Sequence, residues 1–150
     1  MSKIDLLNPV AKKKVETFIA TLEAHGYVYS VLETLRTQLV QDAYFAQGRE
    51  SYEVICIYRE RAGLYKINEI EAKRIITGEK YSMHQSGLAA DIVPVINGKV
   101  PWDYSRYIEL WMAFGILGKE AGLIWGGDWA PLLPCGIGWD PPHYEARGSA

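Results

Sequence analysis

The sequence has little of what would make it a disulfide-stapled, nucleic-acid-binding or membrane protein. It contains two cysteines, Cys56 and Cys135, and neither belongs to a Cys-x-x-Cys pair, so two buried free thiols are favoured over a disulfide. The formal net charge is −2, without the basic excess that is typical of nucleic-acid binding. No apolar run approaches the roughly 20 residues of a transmembrane helix, and residues 1–5 lack the apolar stretch of a signal peptide. These features predict synthesis in the cytoplasm, without a nucleic-acid or membrane partner.

The composition is that of an ordinary globular protein. Hydrophobic residues make up 49% of the 150 residues and charged residues 23%. A chain of this length buries a core without staples, and one domain over residues 1–150, acting as a monomer, is expected.

Hydrophobic spacing and turn residues predict helices interrupted by short strands. Asn8-Pro9 is typical of a helix start, and Asn97-Gly98 of a hairpin turn. We expect helices at 9–25, 36–46, 50–62, 68–77 and 104–121, strands at 27–34, 88–96, 99–100, 123–125 and 143–145, and a loop at 78–86. This order predicts an α+β fold with an antiparallel sheet flanked by helices.

Two of the three histidines have an acidic residue at a spacing that suits metal chemistry. His25 precedes a helix-ending glycine and is expected to be an ordinary surface residue. His84 lies seven residues before Asp91, and a catalytic zinc needs three such ligands and one open position. Asp91 interrupts an apolar strand, where a carboxylate is costly unless it is paired or coordinated. Spacing alone leaves a metal ligand and a structural aspartate equally open.

His143 would supply the third ligand, and Asp140 precedes it by three residues across Pro141-Pro142. Two prolines stiffen this segment, so it would hold Asp140 near a metal without coordination. A carboxylate in that position is suited to act as general base. The alternative is that Asp140 and His143 form a surface turn.

Four motifs in sequence order resemble one family. They are Arg36-Thr37-x-x-x-Gln41-x-x-Tyr44-x-x-Gln47-Gly48-Arg49, Ser82-x-His84-x-x-Gly87-x-Ala89-x-Asp91, Trp125-Gly126-Gly127-Asp128-Trp129, and Asp140-x-Pro142-His143-Tyr144-Glu145. Together they resemble the LAS-type zinc peptidases of peptidoglycan, over roughly residues 28 to 146. That group includes L-alanyl-D-glutamate endopeptidases of phage endolysins, D-alanyl-D-alanine carboxypeptidases and D-Ala-D-Ala dipeptidases.

The resemblance implies the small Hedgehog/D,D-peptidase-type fold and a role for particular residues. One zinc ion would be held by His84, Asp91 and His143, with Asp140 as the general base. Arg36 would hold a substrate carboxylate or a polarised carbonyl, and Ser82 would lie near the same pocket; the alternative for Arg36 is a surface arginine at a helix start. Gln41 and Gln47 are expected to be structural. A substrate groove could be lined by Trp125, Trp129 and Trp139, although core packing is favoured for at least one of them. Trp139 is assigned to the groove.

The function that the resemblance implies is hydrolysis of an amide bond in the peptidoglycan stem peptide. The L-Ala-D-Glu endopeptidase is favoured, as in a phage or prophage endolysin that reaches the cell wall after release. D-Ala-D-Ala carboxypeptidase or dipeptidase activity is the alternative on the same site. A non-catalytic, zinc-bearing binding module is the alternative of another class. The sequence departs from the family pattern at two places that bear on which substrate is bound. One is a helical segment within residues 50–81, and the other is Ile124, where an acidic residue is common.

Overall fold

The computed structural model describes residues 2–36, 38–77 and 86–146. The chain divides into two compact units: residues 1–35 with 86–150, and residues 36–85. Within the described residues, no helix is both long and apolar enough to cross a bilayer. Cys56 and Cys135 are free thiols, as predicted, but both are partly exposed and not buried. The prediction of a single domain stays a prediction.

The α+β class predicted from the sequence is confirmed. The α-helices are α1 (Pro9–Ala24), α2 (Gln38–Ala46), α3 (Tyr52–Arg61), α4 (Glu69–Ala72) and α5 (Ile108–Glu120). The strands are β1 (Tyr29–Glu33), β2 (Ala89–Pro94), β3 (Ile124–Trp125) and β4 (His143–Glu145). Short 3-10 helices lie at Lys3–Leu6 and Gly126–Asp128.

The first unit contains a four-stranded antiparallel sheet in the order β1-β2-β4-β3. β2 lies inside the sheet, which is consistent with its run of small and β-branched residues. Its pairing with β4 places Ala89, Ala90 and Asp91 opposite Glu145, Tyr144 and His143. The sheet therefore brings two sequence motifs separated by about 50 residues onto adjacent strands.

Helices α1 and α5 pack against the sheet and share one apolar core with it. α1 begins as predicted, because the Asn8 side chain accepts a hydrogen bond from the Val10 amide at 3.0 Å. Two glycines of α5 face the strands closely: an added Cβ at Gly118 would meet the Tyr144 ring, and one at Gly115 the Trp125 ring. Tyr144 of β4 is fully buried. Its close packing against α5 therefore fixes the position of β4.

The second unit consists of α2, α3 and α4 with a small core of its own. Ser51 caps α3 by accepting a hydrogen bond from the Val54 amide at 3.3 Å. Gln47 is 1% exposed, and its amide donates to the Glu71 carbonyl at 3.0 Å. Gln47 is therefore structural, as predicted, although the carbonyl it bonds to belongs to helix α4 and not to a loop.

Several predicted boundaries are wrong, for local reasons. α4 ends at Ala72 and not at residue 77, because Lys73 and Arg74 close the helix with i to i−3 bonds and a β-branched run follows. α5 begins at Ile108 and not at residue 104, since the Asp103 carboxylate accepts from the Arg106 amide and forms a turn.

The predicted hairpin at Asn97-Gly98 forms, but its return strand is shorter than expected. Both turn residues have positive φ, +52° and +77°, as a type I′ turn requires. The return strand is reduced to one bridge, between Ile96 and Lys99. Pro101 follows closely and has no N–H to extend the ladder.

Candidate active site

Asp91 and His143 face each other across the centre of the sheet. They are directly opposed in the β2–β4 register, and side chains at opposed positions of antiparallel strands lie on the same face. The Asp91 Oδ1 lies 3.6 Å from the His143 Nδ1. Two of the three predicted metal ligands are thus brought together by strand pairing alone.

Asp140 approaches the same imidazole nitrogen from the loop before β4. Its Oδ2 lies 3.9 Å from the His143 Nδ1, and its carbonyl accepts from the His143 amide at 3.1 Å. The Asp140 side chain is 30% exposed, so water reaches it. The predicted base is therefore close to the predicted ligand pair and open to solvent.

The loop that carries Asp140 is held through the two prolines that follow this residue. The Pro141 carbonyl accepts from the buried Trp125 indole at 2.7 Å, and the Pro142 carbonyl accepts from the Ile92 amide at 2.9 Å. An added Cβ at Gly126 would meet the Asp140 carbonyl oxygen. The Trp-Gly-Gly-Asp turn therefore packs against this loop. Position 126 requires glycine because the Asp140 backbone passes too close for a side chain.

Sequence reasoning missed Glu145 as a partner of the site. Glu145 is 1% exposed, and its Oε1 lies 2.9 Å from the His143 Nε2. Alternation along β4 places residues 143 and 145 on one face, so the strand prediction contained a signal that could have found this contact.

Aromatic rings extend the site from the buried imidazole towards solvent. The Trp129 ring centroid lies 5.0 Å from that of His143, and the Trp139 centroid lies 5.9 Å from that of Trp129. Trp125 is buried, whereas Trp139 is 50% exposed. The prediction that at least one of these tryptophans packs in the core is confirmed by Trp125. The substrate role of Trp139 stays a prediction.

The charges around His143 change its protonation. Burial disfavours the charged ring, but contacts with the Asp91 and Glu145 carboxylates and the charge of Asp140 outweigh burial and raise the pKa of His143 to about 9. Burial, with the charges of Asp140 and Asp91, also raises the pKa of Tyr104 to about 12. Tyr104 therefore stays a neutral phenol at the acidic site, and no sequence signal indicated its place there.

The raised pKa gives a pH prediction for the metal-free protein. The ring has a pKa near 6.5 when unfolded and about 9 when folded, so the folded state binds the proton more tightly. This contribution to stability is fully present below about pH 6.5 and is lost as the pH rises through 9. We expect the free energy of unfolding in chelator, measured with urea, to fall between pH 6.5 and 9, and to fall less in His143→Gln. An equal fall in both proteins would contradict the assignment.

The donor atoms at the β2–β4 pair fit a zinc ion. Nitrogen and carboxylate oxygen are its usual ligands when sulfur is absent, and Asp91 and His143 supply one of each. His84, the third predicted ligand, and Ser82 lie outside the described residues. Within the described ranges, no group of three or more His, Cys, Asp and Glu side chains is arranged to hold a metal ion. The three-ligand set therefore stays a prediction.

Arg36 belongs to the second unit, at the start of α2. Its guanidinium donates to the buried Gln41 carbonyl oxygen at 2.7 Å and lies 5.0 Å from the centroid of the Tyr44 ring. The motif residues Arg36, Gln41 and Tyr44 are thus in mutual contact within one unit. Gln41 is structural, as predicted, whereas the role of Arg36 in substrate binding stays a prediction.

Comparison with known proteins supports the resemblance drawn from the motifs. Residues 76–146, slightly less than half of the chain, match the sequence model of the D-alanyl-D-alanine carboxypeptidase family. No curated protein sequence is significantly similar to the chain.

Solved structures share the fold at low sequence identity. The L-Ala D-Glu endopeptidase ChiX of Serratia marcescens has a TM-score of 0.55 and 23% identity, over 95% of this chain and 82% of that chain. VanYB in complex with D-alanine-D-alanine has a TM-score of 0.53 and 18% identity, over 93% and 70%. The vancomycin resistance D,D-pentapeptidase VanY in complex with Zn(II) has a TM-score of 0.50 and 18% identity, over 93% and 71%.

The fold is the α+β fold of these peptidases, as the sequence predicted. The family match lies over the segment that carries Asp91, Asp140 and His143. The resemblance to the zinc peptidases of peptidoglycan is confirmed, and the family match and the shared fold support a metallopeptidase.

Proposed function

We propose that the protein hydrolyses the L-Ala-D-Glu bond of the peptidoglycan stem peptide with the help of one zinc ion. The observation that carries the proposal is the meeting of Asp91, His143 and Asp140 at one imidazole nitrogen, on adjacent strands of a peptidase fold. Likeness to the Serratia L-Ala D-Glu endopeptidase, which the chain matches over 95% of its length, favours this bond.

We assign each residue a part in the reaction. His84, Asp91 and His143 would hold the ion, which when bound polarises the scissile carbonyl and lowers the pKa of water. Asp140 would accept the proton of the attacking water and then pass it to the leaving amine. Its exposed carboxylate suits this exchange with water. Ser82 and Arg36 would bind the substrate, and Arg36 suits a carboxylate because its guanidinium offers two parallel N–H donors.

Trp139 is proposed to form a wall of the substrate groove. Its half-exposed ring continues the row of aromatic rings that begins at His143. Aromatic faces give a peptide contact area at little cost in side-chain entropy. The proposal includes a monomer that is made in the cytoplasm and reaches the cell wall after release, as in a phage endolysin.

The second candidate is cleavage at D-alanine, as a D-Ala-D-Ala carboxypeptidase or dipeptidase. The matched family model carries that description, and VanYB is a structural relative that binds D-alanine-D-alanine. The two candidates share the same metal site and differ in the bond that is placed at it. A zinc-bearing binding module without catalysis is the outcome if neither bond is cut.

Mass spectrometry of purified peptidoglycan after digestion separates these candidates. New D-Glu amine ends that disappear when a zinc chelator is present would support the endopeptidase. Released D-alanine or D-Ala-D-Ala would replace it with the second candidate. Intact peptidoglycan, with protein that binds zinc, would leave the binding module as the function.

Replacing Arg36 tests the assignment of the substrate-binding residue. We expect Arg36→Ala to raise KM at least tenfold with a smaller change in kcat, because a carboxylate contact would be lost. Arg49→Ala is the matched control, since Arg49 also lies over an aromatic ring, at 4.1 Å from the Phe45 centroid. Steady-state kinetics on a defined muropeptide gives both constants. An unchanged KM, or loss of folding in the Arg36 variant alone, would favour the structural role.

A further inference from the structure

We propose that Glu145 is a positioning residue: its buried carboxylate accepts the Nε2 hydrogen of His143 and so presents Nδ1 as the metal-binding nitrogen. The inference rests on the proposed zinc site and adds a residue to it. It is carried by the contact between the Glu145 Oε1 and the His143 Nε2 at 2.9 Å.

The burial of Glu145 needs an explanation in chemistry. The residue is 1% exposed on β4, opposite Ala89 of β2 and Ile124 of β3. A carboxylate at an apolar position inside a sheet is costly unless a strong hydrogen bond compensates it. The imidazole of His143 provides such a bond from the same face of the same strand.

The contact also decides which imidazole nitrogen faces the proposed metal position. A carboxylate only accepts hydrogen bonds, so Nε2 must carry a hydrogen to bond to it. The other nitrogen, Nδ1, is directed to Asp91 at 3.6 Å and to Asp140 at 3.9 Å. Both the second proposed ligand and the proposed base therefore lie on the Nδ1 side of the ring.

Packing alone would not choose this orientation. The Trp129 ring packs against the imidazole at a tilt of 47°, with 5.0 Å between centroids, and an imidazole rotated by 180° about χ2 has nearly the same shape. The carboxylate distinguishes the two orientations because it bonds to an N–H and not to a C–H. Metal-bound histidines commonly donate their second N–H to a carboxylate in this way, and such partners raise metal affinity.

The test measures zinc affinity and the state of the ring separately from hydrolysis. We expect Glu145→Ala to weaken zinc binding about 10- to 100-fold, as loss of such a partner does elsewhere, in competition with a chromophoric chelator. Glu145→Gln keeps an accepting oxygen at the same length and is expected to recover most of the affinity. Trp111→Phe is the control for a lost buried hydrogen bond, because it removes the 2.9 Å bond to the Pro101 carbonyl; its zinc affinity should equal that of the wild type.

Nuclear magnetic resonance of the imidazole nitrogens keeps the inference testable if Glu145→Ala does not fold. In the zinc-loaded wild type we expect His143 to have a protonated Nε2 and a metal-shifted Nδ1. Zinc on Nε2, or wild-type affinity in a folded Glu145→Ala, would overturn the inference. These readouts need no substrate: the expected ring state in a protein that cleaves no peptidoglycan would refute the proposed function and leave the role of Glu145 standing.

Discussion

Replacing His143 with glutamine is expected to abolish zinc binding and hydrolysis together. The ring is 7% exposed and lies among the carboxylates of Asp91, Asp140 and Glu145. The substitution removes one proposed zinc ligand. It also removes the imidazole that lies next to all three of these carboxylates. Breaking a buried ion pair lowers the free energy of unfolding by about 3 to 5 kcal/mol. Glutamine reduces this loss because it retains a polar group. Metal analysis after dialysis and turnover of a muropeptide measure the two losses.

His25→Gln is the matched control for this substitution. His25 follows the end of α1, where its Nδ1 lies 2.8 Å from the Thr21 carbonyl and its side chain is exposed. The control is expected to keep full zinc content and full turnover. If folded His143→Gln also kept both, the assignment of His143 as a ligand would be wrong.

Asp140→Asn is expected to retain zinc and to lose nearly all turnover. The amide has the shape of the carboxylate but does not accept a proton, and loss of a general base lowers rates by about 100- to 10,000-fold. The loop should keep its position in this variant, because the backbone of Asp140 holds it there. The Asp140 amide lies 3.3 Å from the Gly126 carbonyl, and the Asp140 carbonyl accepts from the His143 amide. The expected kinetic result is a fall in kcat with little change in KM.

Asp128→Asn controls for the loss of a negative charge near the site. Asp128 lies in the Trp-Gly-Gly-Asp turn, and its carboxylate is partly exposed and paired with Lys119 at 3.1 Å. We expect this variant to keep its turnover. Wild-type turnover in Asp140→Asn would remove Asp140 from the role of base, and loss of zinc from that variant would make it a ligand instead.

Local signals in the sequence predicted most of the first unit. Asn8-Pro9 marks the start of α1, and the alternation after Gly87 marks β2, because capping and strand patterns are set by neighbouring residues. The last residue of α4, Ala72, and the first residue of α5, Ile108, were not predicted. These boundaries depend on competition between turn hydrogen bonds and helical hydrogen bonds. The pairing order of the strands was not predicted, because it depends on contacts between residues that are distant in sequence.

The candidate site was predicted as far as its motifs reach. Asp91, Asp140 and His143 were identified from spacing and from family likeness, and all three meet at one nitrogen. Glu145 was not assigned a role, although alternation along the predicted strand places it on the same face as His143. Tyr104 carries no motif, since its raised pKa arises from burial and from charges that are distant in sequence.

The central claim is that a metal ion at Asp91 and His143 is needed to cut the stem peptide, and metal removal and return tests it most directly. A defined stem peptide is incubated with the protein as purified, after chelator and dialysis, and after addition of one equivalent of zinc, and the released amine is measured. The account predicts hydrolysis in the first sample, none in the second and recovery in the third. Undiminished hydrolysis by the metal-free protein would contradict it.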